Sequence, residues 1–499
     1  MQSAAKSVAR NTIVMMGAQL ITWASSFILM LFMPKYLGST RYGELYLAIS
    51  IAMMFQVIIE FGGQYHITKE VSRSLDSAPY ILVNSAVTRI FLWAVSILMM
   101  YLFSRIVGYS MPVIILILIL GTAKLWEGIN SLLRNCYQGF ELMEYPSIGS
   151  VAERTFLMVT AITALLIGTR DYVIAVLMAI STLINFIISA RFAGKIIPFL
   201  PKIEIEKAKT LLKQGVPYFM WSIFATIYYR IDVVMLSVMT AYSVVGWYGA
   251  AYRLFDVLMF FPFIFSQALF PVLAKIVDST KESLTRAVQK SIDLTLFVGF
   301  PVAIILFAFA GQITGFLFGL KEYQHTVEIL QIFSIGLILV YVDFILGSTV
   351  LATDKQKLWS KIAGIAIVIN MGLNYFFIPF AQQNYGDGGI GAAVATILTE
   401  LFITVSAILL LRGKLLGKLS LGFIFKEITG AAIMSASIHF LNGTDLNWIF
   451  QALAGVAVYL MVMMLFYIQK KGMEIFSIDY LLSIKNFFSS ILTHGEAKA

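Results

Sequence analysis

Apolar runs of about 20 residues or more recur along the chain, separated by short polar gaps. About fourteen can be placed, at 12–33, 45–66, 81–104, 111–134, 147–168, 172–193, 216–239, 247–272, 291–311, 326–350, 359–380, 389–411, 422–441 and 447–468. A helix of about 20 apolar residues crosses a bilayer. These runs are apolar on all sides and do not alternate with period two, which argues against a β-barrel. The pattern predicts an all-α polytopic membrane protein with about fourteen transmembrane helices. Lys6 and Arg10 precede the first run as they would in a signal peptide. That run is too long for a signal core and no small-residue cleavage site follows, so a retained helix is expected.

Composition strengthens this picture. Hydrophobic residues make up 59% of the 499 and charged residues only 13%, and mean hydropathy is +0.86. Soluble domains carry about 25% charge. The net charge of +9 is explained by where the bases lie. Of the 36 Lys and Arg, Lys35, Arg41, Arg105, Arg170 and Lys321 lie in one set of alternate gaps, and Arg89, Lys124, Arg154, Arg230 and Arg253 lie deep in the runs. The rest collect in the other gaps and the two ends. Basic loops mark the cytoplasmic side. The expected location is the cell membrane, with both termini cytoplasmic. The positive balance reads as topology and contact with membrane lipids, with no nucleic-acid partner. The single cysteine, Cys136, excludes an internal disulfide, and the four histidines show no metal-ligand spacing. No P-loop and no catalytic motif appears, and no cofactor is implied. The expectation is a protein that is not an enzyme and holds no metal.

The stretch 194–215 combines helix breakers at Pro198 and Pro201 with an amphipathic pattern. Ile203, Ile205, Ala208, Leu211 and Leu212 interleave with Glu204, Glu206, Lys207, Lys209 and Lys213, as in a short helix on the cytoplasmic surface. It divides residues 1–193, with six runs, from 216–411, with six more. Two further runs occupy 412–468, and a tail of amphipathic character covers 469–499. The halves carry a faint repeat: Tyr42-Gly43-Glu44-Leu45-Tyr46 and Tyr248-Gly249-Ala250-Ala251-Tyr252 stand at the same junction of each. The corresponding runs cross in the same direction, so the repeat is parallel. Such repeats build transporters whose two lobes rock about a central site.

Charges within spans are costly and mark function or internal pairing. Arg89, Lys124, Arg154, Arg230 and Arg253 are candidate cations for a phosphate-bearing cargo, because guanidinium forks match phosphate oxygens. Lys124 with Glu127 and Arg253 with Asp256 stand at i,i+3 and can pair on one helix face. Glu60, Glu127, Glu153, Asp232, Asp256, Asp343 and Glu400 are the acids within spans; some could exchange H⁺ or bind Na⁺, or simply bond between helices. Gln56, Glu60 and Gln64 form an i, i+4, i+8 stripe, and Gln19, Thr22 and Ser26 a second. Both suit a wet cavity or interhelical hydrogen bonding. The candidates for ion coupling are Glu60, Gln56, Gln64, Asp232 and Glu400. Pro262 and Pro301 are expected to kink their helices.

The segments Ile227-Tyr228-Tyr229-Arg230-Ile231-Asp232-Val233-Val234-Met235-Leu236-Ser237 and Val245-Gly246-Trp247-Tyr248-Gly249-Ala250-Ala251-Tyr252-Arg253-Leu254 resemble the polysaccharide-biosynthesis flippases. That family lies within the multidrug/oligosaccharidyl-lipid/polysaccharide exporter superfamily. Pro34-Lys35-Tyr36-Leu37-Gly38 with Tyr42-Gly43, and Gly388-Gly389-Ile390-Gly391-Ala392-Ala393, resemble it too. The resemblance implies a MATE-like bundle of two six-helix lobes plus two C-terminal helices. It implies alternating-access carriage of a polyprenyl-pyrophosphate-linked oligosaccharide, as in O-antigen assembly, from the cytoplasmic to the outer leaflet. It also implies coupling to H⁺ or Na⁺, and polysaccharide polymerase components as partners. Arg230 and Arg253 lie in the matching segments; Arg89, Arg154 and Lys124 rest on position. A multidrug/cation antiporter and a lipid II flippase share the fold, and a membrane glycosyltransferase is an alternative of another class.

Overall fold

The structure, a computed structural model, describes residues 2–198, 204–277, 280–412 and 421–469. The expected tail helix beyond 469 lies outside the described residues, as do parts of the 194–215 connector and of the 412–421 loop. All regular elements among the described residues are helical. Twelve stretches among them are long and apolar enough to cross a membrane. The chain forms two compact units, one within Met1–Gly246 and one within Trp247–Lys485.

The first unit holds α1 (Gln2–Glu60), α2 (Gly63–Arg73), α3 (Ala78–Val107), α4 (Met111–Gly139), α5 (Glu144–Leu166), α6 (Asp171–Ile196) and α7 (Ile205–Met239). Its span Val14–Glu60 has 47 residues, about 70 Å at 1.5 Å per residue. That is more than twice the hydrocarbon thickness of a bilayer. The two runs expected at 12–33 and 45–66 are therefore arms of one helix, bent at Gly38 (φ 76, ψ 166). Glycine takes this conformation without a steric penalty. The second arm stops at Glu60, short of the expected 66, because Phe61 (φ 43) and Gly62 (φ 67) turn left-handed. A Cβ on Gly62 would lie 2.5 Å from the Gly215 carbonyl oxygen and 2.7 Å from the Phe219 nitrogen. The break thus seats its backbone directly against α7, and the Phe61 ring stacks on Phe219 with centroids 4.5 Å apart.

The amphipathic stretch from Ile205 is helical, but it runs without interruption into the following span as the first turns of α7. A second close approach fixes the second arm of α1. A Cβ on Gly43 would fall 1.8 Å from the Tyr242 carbonyl oxygen, and one on Gly246 would fall 2.0 Å from that of Ser39. Two helix backbones meet there as small residues allow in membranes. The core of this unit includes Ile67, Val71, Leu132 and Cys136, next to Ile129, Leu133 and Tyr137.

Helix α8 (Tyr242–Leu258) carries the boundary between units. The second unit continues with α9 (Phe260–Ile276), α10 (Lys281–Ala308), α11 (Ala310–Leu317), α12 (Leu320–Tyr323), α13 (Thr326–Ala352), α14 (Gln356–Tyr385), α15 (Gly388–Leu411), α16 (Leu421–Leu441) and α17 (Trp448–Gln469). The single run expected at 247–272 is two helices, interrupted at Met259. Pro262 explains the break: it has no N–H for the carbonyl four residues earlier, and its ring crowds that carbonyl. The carbonyl is that of Leu258, and the Tyr341 hydroxyl donates to it at 2.9 Å. Pro301 stays inside a continuous α10. The core gathers Leu273, Leu284, Val288, Leu296, Ile345 and Leu411 from α9, α10, α13 and α15. A second cluster of Phe309, Met434, Ile438, Tyr459 and Met463 docks α16 and α17. Large apolar side chains such as Val368, Phe376 and Phe440 face outward, as a lipid solvent permits.

Candidate functional site

In the first unit, Arg89 lies on α3 and is only 3% exposed. Its Nη1 donates to the carbonyl of Gly128 on α4. Its Nη2 has no hydrogen-bond partner among the described residues. That atom points toward the restart of the broken helix, where a Cβ on Gly63 would sit 3.5 Å away. Glu60, the last residue of α1, is near enough to act on its charge. Gln56, buried one turn earlier, donates from Nε2 to Glu60 Oε1 at 3.1 Å. The expected stripe therefore exists as far as Glu60. Gln64 belongs to α2, beyond the left-handed break, so helical spacing no longer aligns it with the other two. Its side chain lies outside the described residues. In the other stripe, Thr22 bonds back to the Gln19 carbonyl of its own helix at 2.9 Å, and Gln19 and Ser26 are exposed.

Lys124 and Glu127 pair on α4 at 2.5 Å, the i,i+3 contact that their spacing allows. Arg154 is exposed on α5, within electrostatic reach of Glu127. Its neighbour Glu153 accepts from Asn185 Nδ2 at 2.7 Å, and Ser189 Oγ donates to Asn185 Oδ1 at 3.0 Å. A polar ladder thus joins α5 to α6. Arg230, on α7, is half-buried and donates from Nη1 to the Tyr46 hydroxyl of α1 at 3.3 Å. Tyr46 is itself buried and stacks on Tyr42, with centroids 5.9 Å apart. Asp232, two residues on, is fully within the packing.

The second unit is richer in acids. Arg253 is half-buried on α8, with Asp256 at i+3. On α13, Asp343 accepts from Thr404 Oγ1 of α15 at 2.7 Å, and Glu400 of α15 comes within side-chain hydrogen-bonding reach of it. Asp293 on α10 accepts from Gln289 at 2.6 Å. Glu427, wholly buried on α16, accepts from the Tyr459 hydroxyl of α17. Reading the sequence overlooked Glu427 and Asp293 although both fall in apolar runs. A lone acid in such a run was the available signal; its partner helix was not. Outside the spans, Asp387 caps α15 by accepting from the Gly389 N–H at 2.8 Å. Burial, and then the nearby Glu328, push its carboxyl up to about 7, while the Gly389 bond pulls it down.

Among known proteins, the chain matches the family of polysaccharide biosynthesis proteins over residues 8–277 and that of the lipid II flippase MurJ over 148–455. The capsular polysaccharide biosynthesis protein CapF of Staphylococcus aureus is 29% identical over 143 residues, 28% of this chain and 34% of that protein. A probable multidrug resistance protein NorM of Bacillus cereus (strain ATCC 10987 / NRS 248) is 27% identical over 147 residues, 29% of this chain and 32% of that one. The chain aligns with about a third of the length of these curated relatives. Among solved structures, the lipid II flippase MurJ in an inward closed conformation has a TM-score of 0.76 at 17% identity, covering 92% of this chain and 99% of that one. An inward-facing multidrug resistance MATE family transporter has a TM-score of 0.66 at 13% identity, covering 81% and 99%. These likenesses show a MATE/MurJ-like fold. The chain therefore belongs to the polysaccharide biosynthesis protein family, a family of multi-pass membrane transporters, not enzymes, within the exporter superfamily that includes MATE and MurJ.

Proposed function

We propose that this transporter flips a polyprenyl-pyrophosphate-linked oligosaccharide from the cytoplasmic to the outer leaflet by alternating access, for surface polysaccharide assembly. One observation carries the reading beyond the family: a partly exposed guanidinium, Arg230, stands within a span of the family-like segment, steadied by the Tyr46 hydroxyl. Placing such a charge in a bilayer costs about 2.5–3.5 kcal/mol, a cost that an anionic cargo offsets. Arg89, with Nη2 aimed at the helix break, is the second candidate cation. Lys124 ranks below both because Glu127 already neutralises it. Arg154 and Arg253 remain candidates by position.

The proposed topology has fourteen crossings with both ends cytoplasmic: six in 1–193, six in 216–411 and two in 412–468. Coupling is assigned to H⁺, with Glu400 and its partner Asp343 as the proton-carrying pair ahead of Glu60, which is engaged by Gln56. The partners are the lipid-linked oligosaccharide, membrane lipids and polysaccharide polymerase components.

The test is glycan export in cells lacking the chromosomal copy. Arg230→Ala lowers export by about tenfold or more, the worth of a charge-assisted bond of about 1.5–3 kcal/mol. Arg230→Lys keeps the charge without the fork and retains partial activity. Normal export with normal protein level in Arg230→Ala contradicts the assignment. The match to the lipid II flippase family over 148–455 favours a second reading, in which the cargo is lipid II. Rescue of cells depleted of their lipid II flippase distinguishes the two.

A further inference from the structure

Where α13 begins and the α14–α15 turn closes, three side chains with metal-binding atoms converge, two from one helix start and one from about sixty residues on. They are His325, Glu328 and Asp387, and their ligand atoms all lie within 4.8 Å of one another. His325 precedes the first turn of α13 and Glu328 follows at i+3, so both lie on one helix face. Asp387 arrives from the far end of α14. Its residue is 0% exposed. Its Oδ1 is used by the Gly389 N–H, but its Oδ2 has no hydrogen-bond partner among the described residues and lies 3.9 Å from His325 Nδ1. A buried carboxylate oxygen left without a donor is costly, and a cation offsets that cost.

We propose that His325 Nδ1, Glu328 and Asp387 Oδ2 form a binding site for a divalent transition metal, with Zn²⁺ the best fit, which ties the start of α13 to the α14–α15 turn. One imidazole nitrogen and two carboxylate oxygens are ligand types that Zn²⁺ accepts at about 2.0–2.2 Å, with water completing the tetrahedron. Ligand atoms in such a tetrahedron stand about 3.4 Å apart, so the exposed Glu328 arm needs to close by only about an ångström or so. The surroundings are built to hold the other two ligands. The His325 ring stacks on Trp247 with centroids 4.3 Å apart. Trp247 is fixed in turn by donating from Nε1 to the Glu322 carbonyl at 2.9 Å and by accepting from Thr326 Oγ1 at 3.2 Å. The Asp387 turn is braced by Gln382, which accepts from the Gly388 N–H at 3.0 Å and donates to the Gly386 carbonyl at 3.2 Å. Support of this kind orients metal ligands. Sequence spacing could not reveal the site, because His325 and Asp387 belong to different helix ends.

The experiment is a calorimetric titration of ZnCl₂ into tag-free, chelator-stripped protein in detergent. The expected result is one Zn²⁺ per chain. Asp387→Asn keeps the capping oxygen for Gly389 but removes the charged ligand. His325→Gln and Glu328→Gln change positions that are not buried, so they carry the test even if the Asp387 variant is poorly folded by gel filtration. Each weakens binding by at least the roughly 10–100-fold that loss of a mere supporting residue costs. Absence of stoichiometric binding by the wild type overturns the site. Equal binding by folded His325→Gln and Glu328→Gln variants also overturns it, assigning the metal to other histidines.

Discussion

Each unit contains a Tyr-x-x-x-Tyr pair, Tyr42 with Tyr46 and Tyr248 with Tyr252, and the two pairs do different work. In the first unit Tyr42 and Tyr46 stack on one another, and the Tyr46 hydroxyl holds Arg230. In the second, Tyr248 and Tyr252 pack edge-on against Phe333, which in turn stacks on Phe255 at 4.9 Å. One sequence element thus steadies a cation in one unit and builds an aromatic core in the other. The charges diverge in the same way. Deep in the spans of the first unit, Arg89, Lys124, Arg154 and Arg230 stand with Glu60, Glu127, Glu153 and Asp232. Those of the second hold Arg253 against Asp256, Asp293, Asp343, Glu400 and Glu427. We infer a division of labour in which the first unit recognises the anionic cargo and the second handles the proton.

The largest expected effect concerns packing in the first unit. Gly246→Leu drives a Cβ to within 2.0 Å of the Ser39 carbonyl oxygen, and two helix backbones cannot both stay in place. Loss of monodisperse protein on size-exclusion chromatography is expected. Gly364→Ala, on α14 with nothing within 4 Å of its new methyl, serves as the tolerated control. In the second unit, Tyr459→Phe removes the hydroxyl that donates to Oε2 of buried Glu427. The expected cost is about 1–3 kcal/mol of stability, read as a lowered thermal midpoint in detergent. The smallest effect is the most diagnostic. Tyr46→Phe leaves the ring stack intact and removes only the hydroxyl beside Arg230. Export is expected to fall about fivefold, the worth of an ordinary hydrogen bond of about 1 kcal/mol, with an unchanged thermal midpoint. If Tyr46→Phe instead lowers the midpoint and spares export per folded molecule, the contrast between the two pairs is lost.

Much of this was legible in the sequence because a bilayer imposes a simple grammar. Uninterrupted apolar runs gave the spans, and the i,i+3 spacing of Lys124 and Glu127 gave a contact that the structure contains. The resemblance around Arg230 pointed to the family. What could not be read depends on backbone detail and on distant partners. Phe61 and Gly62 cut the Gln56–Glu60–Gln64 stripe, since helical periodicity carries no warning of a left-handed pair. Pro262 was visible as a kink, but the rescue of the Leu258 carbonyl by Tyr341 needed the fold. Asp343 with Glu400, and Glu427 with Tyr459, are pairs across helices, where one chain's spacing is silent.

The most direct test of the division of labour is flipping in proteoliposomes. Purified protein is reconstituted with a polyprenyl-pyrophosphate oligosaccharide, and its arrival in the far leaflet is followed by an impermeant sugar-oxidising reagent. The expected result is protein-dependent flipping that an imposed pH gradient accelerates, that Arg230→Ala slows by about tenfold or more even with the gradient, and that Glu400→Gln leaves slow and indifferent to the gradient. Flipping by Arg230→Ala at the wild-type rate, or gradient acceleration that survives Glu400→Gln, would contradict the assignment of cargo to the first unit and proton to the second.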